Sequence, residues 1–579
     1  PKQPVAVGTG GAAATVDALA TSTALRVLQG GGNAVDAAVA AAAVLGVTEP
    51  YSAGIGGGGF LVLYRAADRR VFTIDGRETA PAAATPSLFV DPATGATIPF
   101  DERVTSGLGV GVPGTVAQWD LALRRFGTLP LATLLGPAER AARRGFVVDQ
   151  TFVDQTAENA ARFATFPATA AIYLDADGTP RDVGTVLRNP DLAATYRAIA
   201  RGGAQAFYRG PIARDLVRTV TAPPVATGTT RRVRAGAMAE SDLRGYRAVT
   251  RRAVASTYRG YRIWGMAPPS SGGTTVAQVL NMLESLPATS DRVTQLHRYL
   301  EASRLTYADR GAYLGDPAFT PVPQFGLISE RFAAERAALI GPRAATSPVA
   351  AGNPWAYYPT PGATVRAAAT DDTEGQSTTH LTVSDRQGNV VSYTFTIEST
   401  GGSGIVVPGR GFLLNNELTD FDAAPTGPNA PAAGKRPRSS IAPTLVTRGG
   451  RMVEALGSPG GSTIPTTVLQ TLIGQIDFGL TLPEAIAAPR ASQRNTAATV
   501  AEPAFITSAA GDALRALGHT FTPMGEIGAV TGIAFLRDGR VVAAAEPFRR
   551  GGGSAMVERP RNPLVGPTAP IGGHGGHSG

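Results

Sequence analysis

The chain has 579 residues, 43% hydrophobic and 17% charged, which excludes a disordered protein and leaves room for a large core. It holds no cysteine, which excludes disulfides, thiolate metal sites and a cysteine nucleophile. The formal charge of +8 rests almost wholly on arginine, with lysine only at Lys2 and Lys435. Those arginines are scattered rather than massed into the stripe a nucleic-acid partner needs.

Length suggests several domains or one large layered one. Taken in chain order, residues 12–48 read as two helices, the second opened by Asn33 after the break Gly30-Gly31-Gly32. Gly54-Ile55-Gly56-Gly57-Gly58-Gly59 follows, then the strand-like Phe60–Tyr64. These glycines satisfy G-x-G-x-x-G, but a dinucleotide fingerprint needs strand, glycines, helix, and the order here is reversed. Close backbone packing around an active site is the better reading. Residues 108–345 look mostly helical, with apolar residues at helical spacing in 115–126, 190–202 and 295–312. Prolines at 348, 354, 359 and 361 and a small, polar run to Gly375 mark 348–377 as an exposed connecting segment. Residues 562–579, rich in Gly, Pro and His, read as a disordered tail. No apolar run is long enough to span a membrane.

Strand-like alternation starts at once after the connecting segment. Thr378–Asp385 and Val390–Glu398 flank the turn Arg386-Gln387-Gly388-Asn389, which makes a hairpin. If the turn centres on Gln387, Thr378 lies opposite Thr396, and alternation puts Thr396 and Glu398 on one face. A one-residue slip would turn these side chains away. A threonine is a weak nucleophile unless a base activates it, and its own α-amine can be that base. Thr378 gains a free amine only if the Ser377–Thr378 bond is cut. The hydroxyl can make that cut by attacking the preceding carbonyl, followed by an N-to-O acyl shift and hydrolysis.

Several further stretches join this one in a fixed order. They are 31–38, 54–60, Asp75–Pro81 and Gly109–Gly114 in the first part. Leu413–Phe421, Arg436–Ser440 and Gly457–Ser462 follow the hairpin. With these the chain resembles the γ-glutamyltranspeptidase family over most of its length. The resemblance implies a mixed α/β (α+β) fold, the N-terminal-nucleophile αββα four-layer sandwich. It implies a precursor that cuts itself into a large subunit, 1–377, and a small catalytic subunit, 378–579, which stay together as a heterodimer.

Residue by residue, Thr378 matches the family's nucleophile and Thr396 a threonine that hydrogen-bonds to it and aids processing. Arg77, Ser439 and Ser440 match the residues holding the substrate α-carboxylate. Glu417 and Asp420 match those holding the α-amino group, and Gly460 and Gly461 the backbone oxyanion hole. The chemistry suits a γ-glutamyl group: an arginine fork with hydroxyls for a carboxylate, acids for an ammonium, unobstructed N–H groups for an oxyanion. Glu398 stands where many members carry Asn, and adds negative charge near the ammonium. The segment from Phe421 to Arg438 is shorter than in members with a lid loop, which predicts an open site tolerant of bulky or polymeric donors.

His380 lies two residues from Thr378 but reads as a hydrogen-bonded structural histidine, since the amine does the base work. The five histidines, His297, His380, His519, His574 and His577, lack metal-ligand spacing. Leu456 replaces the first glycine of a serine-hydrolase elbow at Gly457-Ser458-Pro459-Gly460. The expected activity is transfer of a γ-glutamyl group from glutathione or a related amide to water or to an amino-acid or peptide amine, without cofactor or metal. Alternatives are an amidase or acylase of the same superfamily, acting on cephalosporin side chains or poly-γ-glutamate, and an uncut, non-enzymatic binding protein. The resemblance and the start at Pro1 imply export to a periplasm or the medium.

Overall fold

The computed structural model describes residues 2–358, 374–375 and 377–561. Thirteen strands form one continuous sheet that folds back on itself. Its first half runs Val249–Arg251, Arg70–Asp75, Gly58–Arg65, Val390–Thr396, Thr379–Ser384, Val5–Thr15. The second runs Val541–Ala545, Thr531–Phe535, Arg451–Gly457, Thr444–Arg448, Tyr261–Gly265, Val254–Tyr258, and Ser554–Pro560 also pairs with Val5–Thr15. The long strand Val5–Thr15 joins the halves: Val5–Gly8 pairs with Val541–Ala544, and Ala12–Ala14 pairs with Thr382–Ser384. Between those stretches its register against Ser554–Pro560 shifts at Thr9/Ala12, where Gly10 takes φ +89°. A bulge of this kind bends a strand, and glycine supplies the left-handed backbone it needs.

Side-chain alternation explains the layers. In Gly58–Arg65, Leu61 and Leu63 enter one apolar core, while Phe60, Val62 and Tyr64 enter another. A strand buried on both faces reads as a continuous apolar run, as this one does. Leu381, Val383, Val391, Tyr393 and Phe395 of the hairpin point outward into the first core, against helices Ala18–Gln29, Ala34–Thr48, Thr115–Phe126 and Leu131–Arg144. The opposite face of the hairpin is polar. There Ser392 Oγ donates to Leu456 O at 3.0 Å and accepts from Thr444 N at 3.1 Å, and Thr382 Oγ1 donates to Thr531 O at 3.3 Å. These bonds tie the two halves face to face. Helices Gly272–Ser285, Arg292–Tyr313 and Ile464–Ile476 cover the second half. The result is helix, sheet, sheet, helix.

Helix Ala34–Thr48 is buried on every side, as its alanine-rich, nearly uncharged sequence requires. Asn33 caps it by accepting from Val35 N and Asp36 N, and Asp36 accepts in return from Asn33 N. Such a cap contributes about 1 kcal/mol.

Helices Thr115–Phe126 and Pro190–Gly202 end where periodicity places them, and 295–312 lies within Arg292–Tyr313. Three expectations need correction. Residues 12–15 belong to the strand Val5–Thr15 rather than to a helix, because small alanines carry little periodic signal. The mostly helical stretch 108–345 also contributes the sheet strands Val249–Arg251, Val254–Tyr258 and Tyr261–Gly265. Their burial comes from sheet neighbours distant in sequence. Of the connecting segment 348–377, residues 359–373 and 376 lie outside the described residues, but Ser377 is fully buried and Trp355 is nearly so. The bond at issue is therefore inside the protein rather than on an exposed linker. The tail 562–579 also lies outside the described residues. Among the described residues no helix is long and apolar enough to cross a membrane.

Candidate active site

The hairpin register is the one its turn predicts. Ser384 pairs with Val390 and Thr379 with Phe395, so Thr378 continues opposite Thr396. Their hydroxyls meet, with Thr378 Oγ1 donating to Thr396 Oγ1 at 3.0 Å. Thr396 Oγ1 in turn donates to the Ser377 carbonyl at 2.9 Å and accepts from Glu398 N at 2.8 Å. Thr378 Oγ1 itself lies 2.5 Å from the same carbonyl oxygen. Thr378 has a single hydroxyl proton. With that proton on Thr396, an Oγ1 lone pair is left beside the Ser377 carbonyl, which Thr396 polarises.

Both sides of the Ser377–Thr378 bond are held. Ser377 Oγ donates to Tyr51 O at 2.9 Å and reaches Ser52 Oγ at 3.2 Å. Arg550 Nη1 donates to Thr378 O at 2.7 Å. Gly57 lies so close that a Cβ there would sit 2.0 Å from Thr396 O, and one on Gly56 would sit 2.0 Å from Leu413 O. The glycine run thus serves close backbone approach to the site strand, with helix before and strand after.

Arg77, Thr378, Thr396, Glu398, Glu417, Asp420, Ser439, Ser440 and Gly461 surround one cavity of about 20 Å³, room for about one water. Gly460 is the adjoining residue. The strand Arg70–Asp75 delivers Arg77, whose N–H is fixed by Asp75 Oδ1 at 2.8 Å. The 3₁₀ turn Glu417–Asp420 delivers the two acids. Asn415 staples three of the sequence motifs together: it accepts from Gly111 N and Glu417 N and donates to Gly56 O and Gly111 O, all within 2.9 Å. That is a physical reason for those glycine-rich and Asn-Asn-Glu stretches to occur in one chain.

Arg77 is buried and pairs with Glu417 and Asp420, and it also donates to the carbonyls of Pro437 and Arg438. Glu398 is accepted into the group at φ +80°, a left-handed backbone that takes it out of the strand pattern but leaves it at the cavity beside Thr396. Its carboxylate takes bonds from Gly375 N, Asn416 Nδ2 and Ser399 Oγ. Burial raises the Glu398 carboxyl above its ordinary range despite those bonds. Burial also pushes Asp420 well up; Arg77 opposes this, and the charges of Glu398 and Glu374 add to it. Among the described residues, Glu417 Oε2 and Asp420 Oδ1 are buried acceptors without a hydrogen-bond partner. Acids outnumber cations among the residues lining this cavity, and two of those acids carry unmatched oxygens, which favours a cationic, hydrogen-donating guest.

Ser439 and Ser440 dock on the turn before helix Gly272–Ser285: Ser439 N donates to Pro269 O, and Ser439 O accepts from Ser271 N and Oγ. Gly460 and Gly461 take φ +137° and +57°, and lead through the 3₁₀ turn Gly461–Thr463 into helix Ile464–Ile476. A helix N-terminus carries partial positive charge, a suitable neighbour for an oxyanion. His380 is buried with both ring nitrogens engaged, Nδ1 with Thr394 Oγ1 at 2.7 Å and Nε2 with Thr382 Oγ1 at 3.1 Å. Burial lowers its pKa to about 3, so it stays neutral. It is a structural residue between the sheets.

Sequence reasoning missed Tyr51, Ser52, Arg550, Arg310 and Glu374. Tyr51 and Arg550 act through contacts with backbone atoms and Ser52 through its hydroxyl, and no residue pattern announces any of the three. Arg310 sits in Arg292–Tyr313, a helix that carries Glu301, Arg304, Asp309 and Arg310 among its buried residues. Charged residues interleaved with a helix's apolar face were the available signal.

A four-layer αββα fold with a buried threonine set against its own preceding carbonyl defines an N-terminal-nucleophile hydrolase precursor. The family model for gamma-glutamyltranspeptidase matches residues 20–556, and the chain belongs to that family. It is 40% identical over 489 residues to a glutathione hydrolase proenzyme of Bacillus subtilis (strain 168), covering 84% of this chain and 81% of the relative. It is 36% identical over 548 residues to the acylase ACY 1 proenzyme of Pseudomonas sp. (strain V22), covering 93% and 92%. The crystal structure of a cephalosporin acylase from Bacillus halodurans superposes with a TM-score of 0.83 at 28% identity, covering 96% of this chain and 97% of that one.

Proposed function

We propose that the chain is a precursor that cuts itself between Ser377 and Thr378 and then transfers γ-glutamyl groups through an ester on Thr378. The observation that carries this reading is the Thr378–Thr396–Ser377 triangle. Thr378 Oγ1 attacks the Ser377 carbonyl carbon and passes its proton to Thr396. The C–N bond breaks and the nitrogen takes a proton. Water then hydrolyses the ester, leaving a carboxylate on Ser377 and a free amine on Thr378. That amine is the base for the later reaction.

In the mature enzyme the Thr378 hydroxyl attacks the γ-carbonyl of a donor such as glutathione. Gly460 and Gly461 N–H groups take the oxyanion, worth about 3–4 kcal/mol per donor group. Glu398, Glu417 and Asp420 receive the donor's ammonium, which supplies hydrogens for the unmatched acceptors Glu417 Oε2 and Asp420 Oδ1. Arg77, Ser439 and Ser440 serve the carboxylate. Water releases glutamate; an amino-acid or peptide amine gives a new γ-glutamyl compound. The cut pieces, 1–377 and 378–579, remain a heterodimer because their strands alternate within the one sheet. Export to a periplasm or the medium belongs to this reading, and cell fractionation tests it.

The acylase relative and the acylase structure give support to a second reading, an acylase of the same superfamily acting on cephalosporin side chains. A glutaryl amide, which has the carboxylate but lacks the ammonium, is a probe that tells such an acylase from a γ-glutamyl enzyme. Parallel assays of γ-glutamyl and glutaryl p-nitroanilides separate the two. A preference for the γ-glutamyl compound upholds the first reading. A preference for the glutaryl compound replaces it with the second.

A further inference from the structure

The long sheet has two ends, Val249–Arg251 and Val254–Tyr258, and the chain joins them through Arg252 and Ala253 alone. Residues of both end strands line one groove of about 660 Å³, against about 20 Å³ for the cavity at Thr378. Arg262 and Trp264 also wall a second cavity of about 230 Å³, which continues between the two halves of the sheet.

Strand Val254–Tyr258 pairs on one side only, with Tyr261–Gly265 across the two-residue turn Arg259-Gly260. Such a turn makes Tyr258 and Tyr261 a hydrogen-bonded pair, and antiparallel pairs alternate, so Ser256 and Val254 bond to the same partner strand. The backbone groups of Ala255 and Thr257 therefore point away from the sheet, and among the described residues no other strand takes them. A row of open backbone groups is a template for one more strand.

Proteins often protect such an edge with charge alone. This edge also has an apolar wall: Trp264, Pro268, Pro317 and Tyr358 line the groove with Phe325, which is 56% exposed. Protection does not need that wall, whereas the side chains of a docked strand do. The charge is of one sign. Neither cavity has an acid among its lining residues. Arg251 is engaged, donating to Asp75 Oδ2 at 2.7 Å. Arg69, Arg252 and Arg262 are exposed and, among the described residues, form no ion pair. Arg262 lies over the Trp264 ring, 4.6 Å from its centre, a contact that consumes none of its N–H donors.

We propose that this groove binds an extended acidic peptide, which adds as a strand at Ala255 and Thr257 and sets its carboxylates against Arg252 and Arg262. The groove shares no lining residue with the cavity at Thr378, so the proposal holds whichever acyl donor that cavity takes.

The test is fluorescence polarisation of the mature protein with a fluorescein-labelled hexapeptide of alternating glutamate and valine. Saturable binding is expected with a Kd below about 1 mM. Reversing both charges, R252E with R262E, raises Kd at least about tenfold, because two attractive pairs become repulsive. A peptide N-methylated at alternate amides, which cannot pair as a strand, binds at least about tenfold more weakly, and so does one with lysine for glutamate. A255P removes an edge N–H and weakens binding likewise. The melting temperature of the charge-reversed variant stays near that of wild type, which shows that it folds. Should A255P fail to fold, charge reversal and the N-methylated peptide decide. No saturable binding in this range, an unchanged Kd in the charge-reversed variant, or equal affinity for the N-methylated peptide each overturns the proposal. A concentration-dependent dimer in sedimentation velocity that A255P abolishes assigns the edge to a second copy of the chain, and overturns it too.

Discussion

Two buried ionic clusters, at opposite ends of the reading frame of function, are built from the same residue types. One gathers Arg490, Glu502, Glu546 and Arg549. Arg549 grips Glu502 through Nε and Nη2 at 2.5 and 2.6 Å and Glu546 through Nη1 at 2.7 Å, and Arg490 reaches Glu546 at 3.2 Å. The remaining capacity of Glu502 is taken by the N–H groups of Ile527 and Arg490. Two cations meet two anions, and Glu502 is held below its usual range by Arg549 against the pull of burial. The other cluster gathers Arg77, Glu398, Glu417 and Asp420. Three acids meet one arginine, two acceptor oxygens are unmatched, and Asp420 is pushed well up. Buried charge alone does not mark a site. Unmatched acceptors beside a nucleophile do, because the missing donors are then left for a ligand to supply.

This contrast yields predictions that can break it. The largest effect is on stability: Glu502→Gln leaves Arg549 and Arg490 short of negative charge and costs about 3–5 kcal/mol. Urea denaturation measures it, and activity per folded molecule stays at the wild-type level. Asp420→Asn does the reverse. It lowers kcat/KM for a γ-glutamyl donor about 100-fold, near the upper range for a charge-assisted bond, without lowering the melting temperature. A raised folded-state pKa means that protonation favours the fold, with that contribution lost as pH rises through the raised value. Asn imitates the protonated form, so the fold loses nothing. If Asp420→Asn destabilises as Glu502→Gln does, the two clusters are not different in kind.

Thr396→Val removes the hydroxyl that polarises the Ser377 carbonyl and receives the Thr378 proton. Self-cleavage slows about 100-fold, the lower range for positioned proton transfer, as followed by gel densitometry over time. The smallest effect is that of pH. Asp420 and Glu398 take up protons as pH falls through their raised values, and a neutral carboxyl no longer pairs with an ammonium. KM for γ-glutamyl donors therefore rises toward acid, by up to about tenfold per pH unit, while KM for a glutaryl donor does not.

Much of the site was legible in the sequence because the hairpin sets its own register. A four-residue turn between alternating runs fixes Thr378 against Thr396, and the polar inner face from His380 to Thr396 follows from period two. The Asn-Asn-Glu and glycine-rich stretches were legible as motifs, and Asn415 shows why they converge. What was not legible depends on contacts between residues far apart in the chain. Arg550 meets Thr378 across 172 positions and Arg310 meets Ser440 across 130. The strands at 249–265 lacked a signal because their partners lie near residue 75 and beyond residue 440. The burial of Ser377 was also hidden: composition marked the residues before it as a linker, whereas Tyr51 and Ser52 draw the bond itself into the core.

The central claim is that Thr378 cuts the bond before it. Intact mass spectrometry of purified wild type beside Thr378→Ala tests it most directly. The account predicts a fragment beginning at Thr378 in wild type and one uncut chain in the variant. A wild-type protein that keeps a single uncut mass after long incubation, or a variant that is cut at the same bond, would contradict it.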